Sequence, residues 1–456
     1  DAERLLLSGI PDSGSAGSLS VRLIATTGAA ESASDLFTIA INSIEGKLVA
    51  GDASDDRLRG SDRADVIIGG GGTNILKGRG GDDWFPIIGG LDEVNTFNGG
   101  DGVDRIQGSG GDDLIQVIHF KGNNRVEIID GGEGFDTLSG DENANTIDLR
   151  DTQLLGIERI QGLAGNDTIF GSAGEDQIRG NNGADRLQGG GADDRLFGGA
   201  GNDWLSGGAG DDLMRGGRDM DTLKGGGGSD DLSGGTGNDQ LNGGGGDDLL
   251  TGDAGDDQIS GNSGNDIVYG SGGADTIDGG SGRDKLYGGS GNDAIDGGRG
   301  RDTIYGGAGD DTIDGGEGND SIYTGDGSDV VLFGRDYGHD RVVLGGGKED
   351  ELGRFVDRVI FGAGISADQL WFEAHNSDLD ITIIGSEDKL SIVDWYANSA
   401  GKADAFVTAE GSVLAWHNVE QLVSAMARFA PPAMGETQLP EEMRSELEQA
   451  LAVGWQ

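Results

Sequence analysis

Gly198-Gly-Ala-Gly-Asn-Asp203-Trp-Leu205-Ser206, Gly288-Gly-Ser-Gly-Asn-Asp293-Ala-Ile295-Asp296 and Gly306-Gly-Ala-Gly-Asp-Asp311-Thr-Ile313-Asp314 are three copies of one nonapeptide. From Gly162 to Tyr323 the chain divides into 18 such units with no insertion or deletion. The first position is Gly in all 18 and the fourth is Gly in 16, Ala192 and Asp219 being the exceptions; the sixth is Asp and the eighth apolar in all 18. A short, strictly kept period is the mark of a solenoid: one unit cannot bury its single apolar side chain, and stacking does it instead.

Each position has a physical reason. Glycines at positions one, two and four reach backbone angles closed to other residues, so a loop can turn tightly and aim its carbonyls inward. The last three residues are expected to form a short strand, with position eight pointing into the core and positions seven and nine pointing out. The sixth position supplies a carboxylate in every unit: Asp167, Asp176, Asp185, Asp194, Asp203, Asp212, Asp221, Asp230, Asp239, Asp248, Asp257, Asp266, Asp275, Asp284, Asp293, Asp302, Asp311 and Asp320. Position nine is Tyr at 269, 287, 305 and 323 and Asp at 278, 296 and 314. This 18-residue alternation predicts two nonapeptides per turn, with a tyrosine row on one sheet and an aspartate row on the other. Cross-strand stacking that stiffens a sheet is the favoured reading of the tyrosines; a binding strip for a sugar or a partner is the alternative.

The pattern resembles the RTX family (repeats in toxin, haemolysin-type calcium-binding repeats), whose consensus is Gly-Gly-x-Gly-x-Asp-x-apolar-x. The resemblance implies an all-β fold, a right-handed parallel β-roll stapled by calcium. It also implies that each ion lies between a loop and the loop two repeats on, taking the aspartate of both and several glycine-loop carbonyls. The charge supports this on its own account. Acidic residues number 82 against 32 basic, a formal net of −50. Loops stacked ~4.8 Å apart would set rows of like carboxylates against each other. Calcium accepts six to eight oxygens in flexible geometry, and about 16 ions in the regular roll would leave a net charge of about −18. Magnesium requires a smaller, stricter octahedron.

Outside the regular array the same unit is worn. Residues 44–161 are expected to be an irregular solenoid with fewer sites. Its candidate ligands are Asp56, Asp65, Asp83, Asp104, Asp113 and Asp136, with Asn74 and Asn145 in place of Asp in two units. Three breaks interrupt the phase, at Ile87–Asn98, Val117–Asp130 and Leu149–Gln161. Residues 1–43 alternate as strands do (Leu19, Val21, Leu23; Phe37, Ile39, Ile41) and resemble the last strands of a cadherin-like β-sandwich, which implies a larger parent protein. Residues 162–332 are the regular roll. Residues 333–430, richer in aromatics, resemble the small α+β domain that follows RTX arrays and are expected to cap the roll, with a helix at Trp416–Phe429. Residues 431–456 are expected to be a tail carrying a helix and a secretion signal.

The functions excluded are as informative. A surface this acidic repels nucleic acid. No apolar run reaches the ~18 residues of a membrane-spanning helix. There is no cysteine, so neither a disulfide nor a thiolate metal site exists. The four histidines, His119, His339, His375 and His417, lack zinc-ligand spacing, and no hydrolase elbow, phosphate-binding loop or His-Glu-x-x-His motif is present. The expectation is a non-enzymatic, calcium-binding extracellular module, structural or adhesive. By resemblance it is exported unfolded by the type I secretion machinery and folds on calcium outside, with a cell-surface glycan or a matrix protein as a further partner. The alternative is the carrier and folding tail of a secreted hydrolase or pore-forming toxin.

Overall fold

The computed structural model describes residues 17–22, 26–27, 30–31, 36–41, 46–87, 93–117, 120–121, 124–345, 357–397, 402–433 and 435–455. It divides into two compact units, residues 1–216 and 217–456. The fold is an all-β parallel solenoid with two small helices near its C-terminus.

In the second unit two parallel ladders rise in steps of 18 residues. One runs through Asp231–Thr236, Leu249–Ala254, Ile267–Gly272, Lys285–Ser290, Thr303–Ala308 and Ser321–Asp326. The other runs through Thr222–Gly227, Gln240–Gly245, Gln258–Ser263, Thr276–Asp278, Ala294–Asp296 and Thr312–Asp314. Consecutive repeats therefore fall on alternate ladders. Tyr269, Tyr287, Tyr305 and Tyr323 are register partners on the first, and Asp278, Asp296 and Asp314 on the second.

Most strands are longer than three residues. They span positions seven to nine and one to three of the next unit, as in Lys285–Ser290 and Thr303–Ala308. Burial alternates along them: the sixth, eighth and first positions face inward. The strand keeps its pairing around the corner because second-position glycines adopt φ near +120°, for instance Gly307 at 119°. Where position nine is Asp, the strand splits in two. The Asp296 carboxylate accepts the Gly298 N–H at 2.9 Å and Asp314 accepts that of Gly316 at 3.1 Å. Such a local side-chain bond competes with the ladder for the same donor, and the glycine φ falls to 88° and 81°.

The core is a file of single side chains. Leu250, Val268, Leu286, Ile304 and Ile322 are fully buried on one ladder, and Ile277, Ile295 and Ile313 nearly so on the other. One such side chain is worth ~1.5–3 kcal/mol, whereas ordering each residue's backbone costs ~1–2 kcal/mol. Apolar burial alone therefore cannot hold a nine-residue unit, and the loops must supply the rest.

Past Tyr323 the ladders continue with less regular steps. Val330–Phe333, Arg358–Phe361 and Ala405–Val407 extend one, and His339–Val343 and Lys389–Ile392 the other. Antiparallel hairpins then close them: Leu370–His375 with Asp378–Ile383, and Ala405–Val407 with Val413–Ala415. Helix α1 (Trp416–Met426) buries Val419, Leu422, Val423 and Met426. Helix α2 (Glu441–Gly454) follows Pro440 and buries Leu447. Asn418 of α1 donates to the Gly454 carbonyl of α2 at 3.3 Å. Phe372, Trp395 and Phe406 form an aromatic cluster with centroids 5.7 and 5.8 Å apart.

The first unit carries the same plan with insertions. Trp84–Pro86, Arg105–Gln107, Ile128–Asp130 and Gln153–Leu155 stack in parallel at steps of 21, 23 and 25 residues. The longer steps take up the phase breaks read in the sequence, two of which hold a stacked strand themselves, Ile128–Asp130 and Gln153–Leu155. From Thr168–Phe170 to Arg186–Gly191 and Trp204–Ala209 the step is 18. Further upstream Gly17–Arg22 pairs antiparallel with Leu36–Ile41. Thr26–Thr27 likewise pairs antiparallel with Ala30–Glu31, and the other residues of the expected sandwich lie outside the described residues.

Candidate metal sites

The sixth-position aspartates are buried together with the core. Asp257, Asp275, Asp284, Asp293, Asp302 and Asp311 are all 0–2% exposed. Their two oxygens have different surroundings. The Oδ1 of each accepts the backbone N–H of the aspartate one turn earlier: Asp257 to Asp275 and Asp293 to Asp311 at 2.9 Å, Asp266 to Asp284 and Asp284 to Asp302 at 2.8 Å. The Oδ2 turns toward its own loop. In Asp167, Asp185, Asp194, Asp239, Asp248, Asp257, Asp266, Asp275, Asp284, Asp293, Asp302 and Asp311 it is fully buried and has no hydrogen-bond partner. First-position glycine makes room for it: a Cβ on Gly288 would lie 2.4 Å from the Asp293 Oδ2.

Carbonyls line the same gap. The Gly289 and Gly291 oxygens point at the second and fourth glycines of the loop above, where added Cβ atoms on Gly307 and Gly309 would lie 2.1 and 1.9 Å from them. Between stacked loops there is thus a cradle of carbonyl and carboxylate oxygens; some second-position carbonyls take a donor, as Gly280 does from the Arg299 N–H at 2.7 Å, but the Oδ2 atoms named above take none. Leaving a buried ionised oxygen unpaired is costly. In the metal-free form burial, with the neighbouring carboxylates Asp329 and Asp293 adding to it, pushes Asp311 up to about 7. Burial likewise takes Asp257 and Asp284 to about 7 and Asp275 and Asp302 to about 6. An all-oxygen set of carboxylates and carbonyls suits a hard, flexible cation, and calcium is the one it fits. No group of three or more acidic or histidine side chains converges among the described residues, so an ion held there would draw most of its shell from backbone carbonyls.

The remaining sequence candidates fall into the same rows with local differences. Asp203, Asp212, Asp221, Asp230 and Asp320 are 1–3% exposed. Asp176 is 7% exposed and accepts the N–H and hydroxyl of Ser172, the second-position residue of its own loop, at 2.6 and 3.0 Å. Asp65 and Asp113 are held by Ser61 and Ser109 in the same way. Asp83, Asp104 and Asp136 are buried, with unpartnered Oδ2 atoms like those of the regular loops. Asp56 is only half-buried and accepts the Asp52 N–H at 2.9 Å.

Five acidic residues of the rows were not singled out in the sequence. Asp329 is the sixth residue of the nonapeptide Thr324–Leu332, which differs from the pattern only in its first residue, and its N–H meets Asp357 at 3.0 Å. Asp340 receives the Asp320 N–H at 2.9 Å. Both Asp340-Arg-Val342 and Asp357-Arg-Val359 keep the Asp-x-apolar signal but stand behind insertions. Glu127 and Glu158 receive the N–H groups of Asp104 and Asp136 at 2.8 and 2.6 Å. Their signal is an acid two residues before an apolar strand residue.

Comparison with known proteins agrees with this geometry. A model of the RTX calcium-binding nonapeptide repeat, built as four copies, matches residues 50–85, 89–116 and 121–151 and, in successive and overlapping matches, 154–339. The chain belongs to the RTX calcium-binding repeat family. Its repeats are therefore calcium-binding, and the solenoid is a structural fold of that kind. One solved structure to which the RTX chain is similar is a hyperactive, Ca2+-dependent, β-helical antifreeze protein from an Antarctic bacterium. The match has 17% identity and a TM-score of 0.28 and covers 81% of this chain and 93% of that one. Among the described residues, no helix of the RTX chain is long and apolar enough to cross a membrane.

Proposed function

We propose that this chain is the calcium-loaded structural or adhesive part of a secreted protein, unfolded where calcium is scarce and folded where it is abundant. The observation that carries the reading is the row of buried, unpartnered Oδ2 atoms facing loop carbonyls. The sixth-position aspartates from Asp167 to Asp320 would be the carboxylate ligands, about 16 ions filling the regular roll. Asp65, Asp83, Asp104, Asp113 and Asp136 would serve upstream, with Asp56 the most exposed of the set. Segments 44–161 and 162–332 would form the calcium array and 333–430 would close its end, since a solenoid needs a cap over its last strand edges.

The energetics are compatible with export. Without ions the 93 glycines resist ordering and 82 acids repel. Extracellular calcium modules bind at ~0.1–1 mM, far above cytosolic calcium. A chain that stays unfolded inside suits a type I channel, and α2 with its flanks would lie in the exported signal region. Outside, a glycan or matrix protein would be the partner of the folded surface. The test is far-UV circular dichroism of the full chain against free calcium, with calorimetric stoichiometry. Cooperative gain of β signal near millimolar calcium, with well over ten ions bound, is expected. A chain fully folded in chelator, or one binding an ion or two, would refute the reading.

A further inference from the structure

Among the described loops Asn74, Asn95 and Asn145 stand at the sixth position, and at two of them, Asn74 and Asn145, the amide nitrogen sits among the oxygens that line the gap between loops. Asn145 is 3% exposed. Its Nδ2 donates to the second-position carbonyl of Asp141 at 3.1 Å, to the Asp141 carboxylate at 3.1 Å and to the fourth-position carbonyl of Asn143. It also lies 3.3 Å from the Asp167 Oδ1 of the next loop. Asn74, fully buried, repeats the arrangement. Its Nδ2 reaches the Gly70 and Gly72 carbonyls, again positions two and four, at 3.4 and 3.5 Å, and the sixth-position oxygen of the next loop, Asn95 Oδ1, at 3.1 Å.

Both loops thus meet the same three partners: the second carbonyl, the fourth carbonyl and the sixth side chain one turn on. In the aspartate loops that set fits a cation. An amide offers two N–H donors to it and no negative charge. Its hydrogens face the space that an ion between the loops would need.

We propose that Asn74 and Asn145 are amide latches, built-in replacements for calcium that close their two levels of the solenoid without an ion. The inference rests on the reading that calcium occupies the aspartate levels, and it assigns these two levels the opposite state. Sixth-position identity then sets, level by level, which turns need the metal. Glu127 and Glu158, which accept a neighbour's N–H as the aspartates do, remain on the acidic side of that division.

The test is to count ions on the full chain at saturating calcium by native mass spectrometry, for the wild type, Asn145→Asp, Asn74→Asp and Asn145→Ala. Each aspartate variant should bind one ion more than the wild type, and the alanine variant the same number. Thermal melts separate the roles further. Asn145→Asp should melt below the wild type at limiting calcium and regain the difference at saturation. Asn145→Ala should melt below it at both. If the wild type carries its full complement and neither aspartate variant adds an ion, the latch is overturned, because the asparagine would then already be a ligand through its oxygen. If the wild type itself binds no ions, the calcium reading fails instead.

Discussion

Gly300 and Gly227 show how unequal the glycines are. Gly300 has φ +147°, and a Cβ there would lie 1.5 Å from the Gly282 carbonyl. Gly300→Ala combines backbone strain with a steric clash and should cost at least ~1–3 kcal/mol. Gly227 sits at the third position with open space around it, and Gly227→Ala should change stability by under ~0.5 kcal/mol. Thermal melts in saturating calcium check both. Asp293 tests the other half of the loop. Asp293→Ala removes a carboxylate facing two candidate levels and should raise the calcium midpoint of folding several-fold. Asp293→Asn should lose the ion yet melt above Asp293→Ala, because an amide can serve the Gly289 and Gly291 carbonyls as Asn145 serves its own. Equal melting of the two variants would contradict this. The aspartates and the tight-turn glycines were legible because a fixed period exposes them. The burial of first-position glycine against the Asp Oδ2 was not, since it depends on a contact five residues along. Glu127 and Glu158 were hidden because each keeps only one glycine at an expected offset, Gly122 and Gly156, and carries Glu in place of Asp.

Tyr269, Tyr287, Tyr305 and Tyr323 stack with centroids 4.8, 4.9 and 4.7 Å apart and ring planes within 12°. Their faces cover one another, so the row offers a ligand mainly edges and hydroxyls. This supports the stiffening role over the binding strip. Tyr305→Ala breaks two stacks, each worth ~0.5–1.5 kcal/mol beyond area, and should cost ~1–3 kcal/mol in a calcium-saturated melt, with no change in ion count. The 18-residue spacing made this row readable, and with it the assignment of alternate repeats to alternate ladders. Three residues were expected, yet Thr303–Ala308 has six, because second-position glycines let the chain turn while still paired. Past Tyr323 the reading faded for another reason. Insertions between Asp320, Asp340 and Asp357 destroy the period although the ladder survives them.

For the molecule as a whole the decisive quantity is the ionisation of its buried acids. In the metal-free fold Asp194 is pushed up to about 8 and Asp248 and Asp320 to about 7, chiefly by burial. An unfolded aspartate titrates near 3.9. Between these values the folded state holds more protons, so stability falls as pH rises. The stabilising contribution is full below about pH 4 and is lost as pH passes through about 6–8. In chelator, acidification from pH 8 to 5 should therefore promote compaction, visible by circular dichroism. In calcium the same protons compete with the metal, so the calcium midpoint should rise as pH drops below about 7. The most direct test of the account is an anomalous difference map from calcium-grown crystals of the full chain, recorded at long wavelength. A peak between each pair of loops 18 residues apart is predicted, for example between Asp293 and Asp311, with none beside Asn74 or Asn145. A map without peaks along the aspartate rows would contradict the claim that calcium holds this solenoid together.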